Sequence, residues 1–261
     1  MLIYGFREEK IIRILIIQDK KKSMKNNDFY NFFDLIYRMI NYNLRIIFAN
    51  KFIWFLAGSV LFYLGLSVIY VFSNDVSKMQ DLYGVFIFSG ILLVFYPSVF
   101  GIQNDQDART IEILFGIPNY RYKVWLVRIL LIFVIAFLIM LVFTFLSSVL
   151  IVKFRFVGVT AQVMIPVLFL GMMSFMLSTV IRNGNGTAVV MIIFGLFFMI
   201  LMDPLRKSQW NVFLNPYTTP YDVNETTWAI ITLKNRIILI TGTILCLLAS
   251  LYNLQKREKF M

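Results

Sequence analysis

The chain has 261 residues, 59% of them hydrophobic and 27 of them Phe, with a formal net charge of +11. Soluble domains are about 45–50% apolar, so a single water-exposed globule is excluded. The Lys and Arg excess collects at the ends of apolar runs and forms no stripe, which reads as membrane topology and argues against nucleic acid as a partner.

Residues 1–27 mix charge with Ile/Leu runs too short to span a bilayer and lack a small-residue cleavage site after an apolar core. Met24-Lys25-Asn26-Asn27 looks like an ordinary start, so residues 1–23 read as an upstream, poorly ordered extension. Residues 28–51 predict an amphipathic helix. Phe29, Phe32, Phe33, Ile36, Ile40, Leu44, Ile47 and Phe48 step along one face, and Asn31, Asp34, Arg38, Asn41 and Arg45 along the other. Such a helix lies in the membrane interface, or packs on a partner protein.

Six apolar runs follow. Phe52–Phe72 gives 21 residues without a charge, against the roughly 20 a bilayer needs. The second run is 82–102 and contains Pro97; the third lies in 124–152, with Arg128 near its start expected to snorkel to the interface. The fourth is 159–181, with Pro166 inside it. Both prolines mark either static kinks or hinge points. The turn at 182–186, rich in Asn and Gly, suits positive φ. The fifth run, 187–202, is barely long enough unless it starts earlier; the sixth is 237–254, and the polar connection between them is placed at 203–235. Cys246 lies in the sixth run and reads as a small buried hydrophobe. With the N-terminus inside, 18 of the 25 Lys and Arg residues fall on the inner side and 7 on the outer. The positive-inside rule and the even number of spans then place both termini in the cytoplasm.

The stretch 103–122 joins the second and third runs on that inner side. Asp105 or Asp107 can cap a short helix there. Ile111, Leu114 and Phe115 share one face, Arg109 and Glu112 lie off it, and Pro118 ends it, which predicts a docking helix over about 105–118 or a plain interfacial loop.

Absences narrow the chemistry. The chain has no His and a single Cys, so Ser-His catalysis and Cys/His metal sites are not available to it. The middles of the six runs carry no charge, which argues against an ion-coupled transporter. No G-x-x-x-x-G-K-[ST] loop occurs. Energy for uphill transport would come from another polypeptide pressing on the 103–122 stretch.

The six-run plan and two motifs resemble the permease subunit of ABC exporters of the type-2 family. Thr110-Ile111-Glu112, Leu114, Phe115, Pro118 and Arg121 are similar to that family's G-T-[LI]-E-x-L-L-x-x-P-x-x-R coupling segment, with Arg109 standing where the family has Gly. Leu214-Asn215-Pro216 looks like its L-N-P element between the fifth and sixth spans. The resemblance covers about residues 28–255. It implies an all-α integral membrane protein of six transmembrane helices behind an interface helix, set in the plasma (inner) membrane and working as a dimer with a second copy or a paralogue. It also implies contact with ABC ATPase subunits through residues 110–121, short re-entrant helices around 203–215, and no cofactor in this chain, ATP and Mg being bound by the partner. On this reading the chain is a non-catalytic export subunit. The alternatives are a subunit that transmits ATP-driven motion to an extracytoplasmic partner, and a membrane-embedded lipid-modifying enzyme.

Overall fold

The computed structural model describes residues 52–72, 79–107 and 121–255, with the side chains of 121–123 excepted. The expected extension at 1–27, the interface helix at 28–51 and the tail at 256–261 lie outside the described residues. No strand occurs among the described residues. The helices are α1 (Phe52–Phe72), α2 (Met79–Asp107), α3 (Val127–Leu150), α4 (Phe156–Ile181), α5 (Gly184–Ile200) and α6 (Glu225–Asn253), with a π-helical stretch, Arg121–Leu126, leading into α3. Five of them are long and apolar enough to cross a bilayer; α5, at 17 residues, is apolar but shorter.

Helices α2 and α4 are central. They pack most extensively on each other; α2 also meets α1, α3 and α5, while α4 also meets α3, α5 and α6. Two glycines let α4 approach its neighbours. A Cβ on Gly90 of α2 would lie 2.8 Å from Val167 of α4, and one on Gly171 of α4 would lie 2.9 Å from Phe133 of α3 and 3.2 Å from Val94 of α2. Small residues play this part in membrane bundles, where dispersion contacts replace the hydrophobic drive between helices.

The outer helices are apolar outside and partly polar inside. On α1, Trp54, Leu61, Val68 and Phe72 are exposed, whereas Phe52, Ser59, Tyr63 and Ser67 are buried. Ser59 donates to the Ser89 carbonyl at 2.9 Å. Tyr63 donates to the Phe143 carbonyl at 2.9 Å and stacks on the Phe143 ring, centroids 4.3 Å apart. Thr144 and Thr160 pair at 2.7 Å between α3 and α4. A soluble helix would be turned the other way. The arrangement fits hydrocarbon, which solvates Leu and Phe and leaves polar groups to find each other.

Several boundaries differ from expectation. The turn at 182–186 places its left-handed residue at Arg182, φ 62°, and not on a glycine. The Asn183 side chain accepts from Gly186 N at 3.0 Å, so Gly184 already opens α5. Cys246 is half-buried. The connection placed at 203–235 is shorter, because α6 starts at Glu225 and takes up Lys234, Asn235 and Arg236. No short helix forms in that connection; it runs as successive turns, such as Ser208 N to Leu205 O and Leu214 N to Asn211 O.

Candidate functional site

One end of the bundle carries the two feet of the 108–120 segment. The expected contact residues Thr110, Ile111, Glu112, Leu114, Phe115 and Pro118 lie outside the described residues, and Arg121 is described only as the backbone that opens the π-helical stretch. The feet themselves are described. Asp105 does not begin a new helix; it lies in the last turn of α2. Arg128, in the first turn of α3, donates from Nη1 to Asp105 Oδ2 at 2.6 Å, with both side chains at most 5% exposed. Its guanidinium also lies over the Trp125 ring, 4.8 Å from the centroid. Arg128 therefore turns inward rather than snorkelling. A carboxylate 23 positions earlier in the chain supplies a counter-charge in place of the hydration that the guanidinium would find at the interface. Arg128 Nε and Nη2 are buried and have no acceptor among the described residues.

Neighbouring contacts tie this end together. The N–H of Gly184 donates to Gln103 Oε1 at 2.5 Å, joining α5 to the end of α2. Asn253 Nδ2 donates to Thr179 Oγ1 at 3.2 Å, joining α6 to α4. The 108–120 segment thus leaves from a base in which α2 and α3 are locked by an ion pair.

The opposite end is built around Arg236. Its Nε donates to Gln162 Oε1 at 2.9 Å and its Nη1 to Asn235 Oδ1 at 3.0 Å. Nη2 donates to the Tyr83 hydroxyl at 2.8 Å and to the Leu214 carbonyl at 3.2 Å. Pro166 contributes indirectly. It has no N–H for the carbonyl four residues earlier, that of Gln162. The Tyr83 hydroxyl lies 3.4 Å from that freed oxygen and donates to it. Asn235 Nδ2 donates to the carbonyls of Gln209 and Asn211, at 2.9 and 2.8 Å. These groups satisfy irregular backbone that dips among the helices, the condition under which non-helical chain is tolerated at membrane depth.

Leu214, Asn215 and Pro216 all take part. Leu214 is buried and offers its carbonyl to Arg236. Asn215 donates to the Gln80 carbonyl at 2.8 Å and accepts from Tyr217 N at 3.0 Å. The Pro216 carbonyl accepts from Trp228 Nε1 at 3.3 Å. The element is a staple that fixes the connection to α2 and α6. Burial raises the phenol pKa of Tyr217 above its ordinary value, with Arg236 pulling it partly back. On the exposed rim, a hydrogen bond from Lys207 holds the Asp222 carboxyl below its usual range.

Asn235 and Arg236 were missed because hydropathy alone closes the sixth run at residue 237. A signal was present: Trp228, Asn235 and Leu239, spaced by seven and four, share one helical face that runs straight through the polar cluster. Among the described residues no group of three His, Cys, Asp or Glu is placed to hold a metal.

The chain is thus all-helical among its described residues, with the apolar helices of a multi-pass membrane protein. No protein-family model matches it, and neither curated proteins nor solved structures give a match.

Proposed function

We propose that this chain is the membrane-spanning permease subunit of an ATP-driven exporter of the ABC type-2 kind. Two copies, or this chain and a paralogue, form the path, and separate nucleotide-binding subunits supply the energy. In this reading α5 is the fifth of six crossings. Its 17 residues span about 25 Å at 1.5 Å each, and the turn at Leu201 and Met202 extends it. Six crossings and the charge asymmetry set both termini on the cytoplasmic side of the plasma membrane, with 108–120 inside and the 201–224 connection outside.

The observation that carries the reading is the Asp105–Arg128 pair at the feet of the segment whose residues match the coupling motif. A segment pushed by an ATPase transmits force only if its two ends move as one body. A buried ion pair between α2 and α3 supplies that rigidity. The connection pinned by Arg236 and Asn235 favours a path-forming subunit over one that reaches an extracytoplasmic partner, because it forms no separate outer domain among the described residues. Glu112→Lys and Leu114→Asp test the reading. Both variants should insert normally and lose the co-purifying ATPase; unchanged assembly in both overturns the proposal.

A further inference from the structure

Arg128 divides its guanidinium between two surroundings. Nη1 is given to Asp105 and the face lies on Trp125. Nε and Nη2 are buried and meet no acceptor among the described residues, in a side chain only 4% exposed. These two nitrogens form the side-on fork of the group, whose parallel N–H bonds match two oxygens of a carboxylate or phosphate. A charged donor pair left unmet in a dry site is strongly unfavourable. An oxyanion arriving from outside the chain would relieve it.

We propose that the Nε–Nη2 edge of Arg128 is a binding site for the phosphodiester of a membrane-lipid headgroup. Depth is the first reason. Arg128 is the fifth residue of the candidate span Val124–Leu150, about 6 Å inside its start at 1.5 Å per residue. That is the level at which headgroups meet acyl chains. Charge is the second. Asp105 already offsets Arg128, so an added anion leaves the pair net negative. A diester adds one charge, whereas free phosphate at neutral pH adds between one and two. The fork lies near the end of the bundle, where Gln103, Asn104 and Leu126 are half-buried, and a headgroup entering there has to displace the side chains that bury Nε and Nη2. The site requires only that these helices cross a bilayer, and it stands or falls separately from coupling to an ATPase.

Native mass spectrometry of the full chain in detergent tests it, with phosphatidylglycerol, diacylglycerol and inorganic phosphate as probes. One phosphatidylglycerol should bind per chain, and neither diacylglycerol nor phosphate in large excess should displace it. Arg128→Lys keeps the charge and loses the fork, and should weaken binding roughly tenfold, the worth of one charge-assisted hydrogen bond. Asp105→Asn keeps an acceptor for Nη1 and removes a repelling charge, so it should bind the lipid more tightly. If Arg128→Lys does not fold, Asp105→Asn decides alone. Lipid binding unchanged in Arg128→Lys, weakened in Asp105→Asn, or displaced by inorganic phosphate overturns the proposal.

Discussion

Asp105 and Arg128 stand 23 positions apart in the chain and 2.6 Å apart in space, one closing α2 and the other opening α3. Removing the cation takes the Arg128 guanidinium away from a buried carboxylate. Arg128→Met should destabilise the chain by about 3–5 kcal/mol, and Arg128→Met with Asp105→Leu should recover much of the loss, since a well-packed apolar pair often equals a buried ion pair. Thermal unfolding in detergent of the two singles and the double measures this coupling. Additive losses would mean that the pair has no energetic link.

Arg236 and Asn235 hold the connection to α6 by donating to its carbonyls. Asn235→Leu orphans the carbonyls of Gln209 and Asn211, at about 1–3 kcal/mol for each oxygen left without a donor. Hydrogen–deuterium exchange should rise across 201–224 in this variant and stay near wild type in α2 and α4. Uniform exchange over the whole chain would show that the side chain supports the bundle generally rather than this connection.

Glycines separate close approach from open space. Gly171→Ala places a methyl 2.9 Å from Phe133 and should cost about 1–3 kcal/mol as overpacking. Gly58→Ala and Gly101→Ala meet nothing within 4 Å and should be neutral or slightly stabilising, because Ala is the better helix former. Melting temperatures of the three variants give the comparison.

Tyr217 should make the connection sensitive to alkali. Burial raises its phenol above the ordinary 10.0, so the folded chain holds that proton more tightly than the unfolded chain. The resulting stability is complete below the unfolded value and is lost as pH rises through the folded one. The difference in stability between wild type and Tyr217→Phe should therefore be flat up to about pH 9 and then move against wild type. A difference that does not change with pH would contradict the assignment.

The sequence and the structure agree where hydropathy alone decides. Helix α1 spans Phe52–Phe72, the bounds its uncharged run gives. They part where a polar residue is buried against a distant partner. A 105–118 helix capped by Asp105 is a reasonable local reading. Local pattern, however, carries no information about Arg128, whose guanidinium draws Asp105 into the end of α2. Lys234, Asn235 and Arg236 likewise end an apolar run, and only the carbonyls of the turns before them explain why the helix continues to Glu225 in the other direction. Leu214-Asn215-Pro216 was legible as a motif. Its work as a staple was not, since its partners Gln80, Trp228 and Arg236 come from two helices.

Site-specific photo-cross-linking in the native membrane tests most directly whether a separate ATPase grips the 108–120 segment from the cytoplasm. A photoreactive residue at position 114 should form an adduct with a protein carrying a G-x-x-x-x-G-K-[ST] loop, and the same residue at position 221, where Tyr221 is fully exposed on the connection, should not. An ATPase adduct from 221 and none from 114 would contradict both the orientation and the coupling.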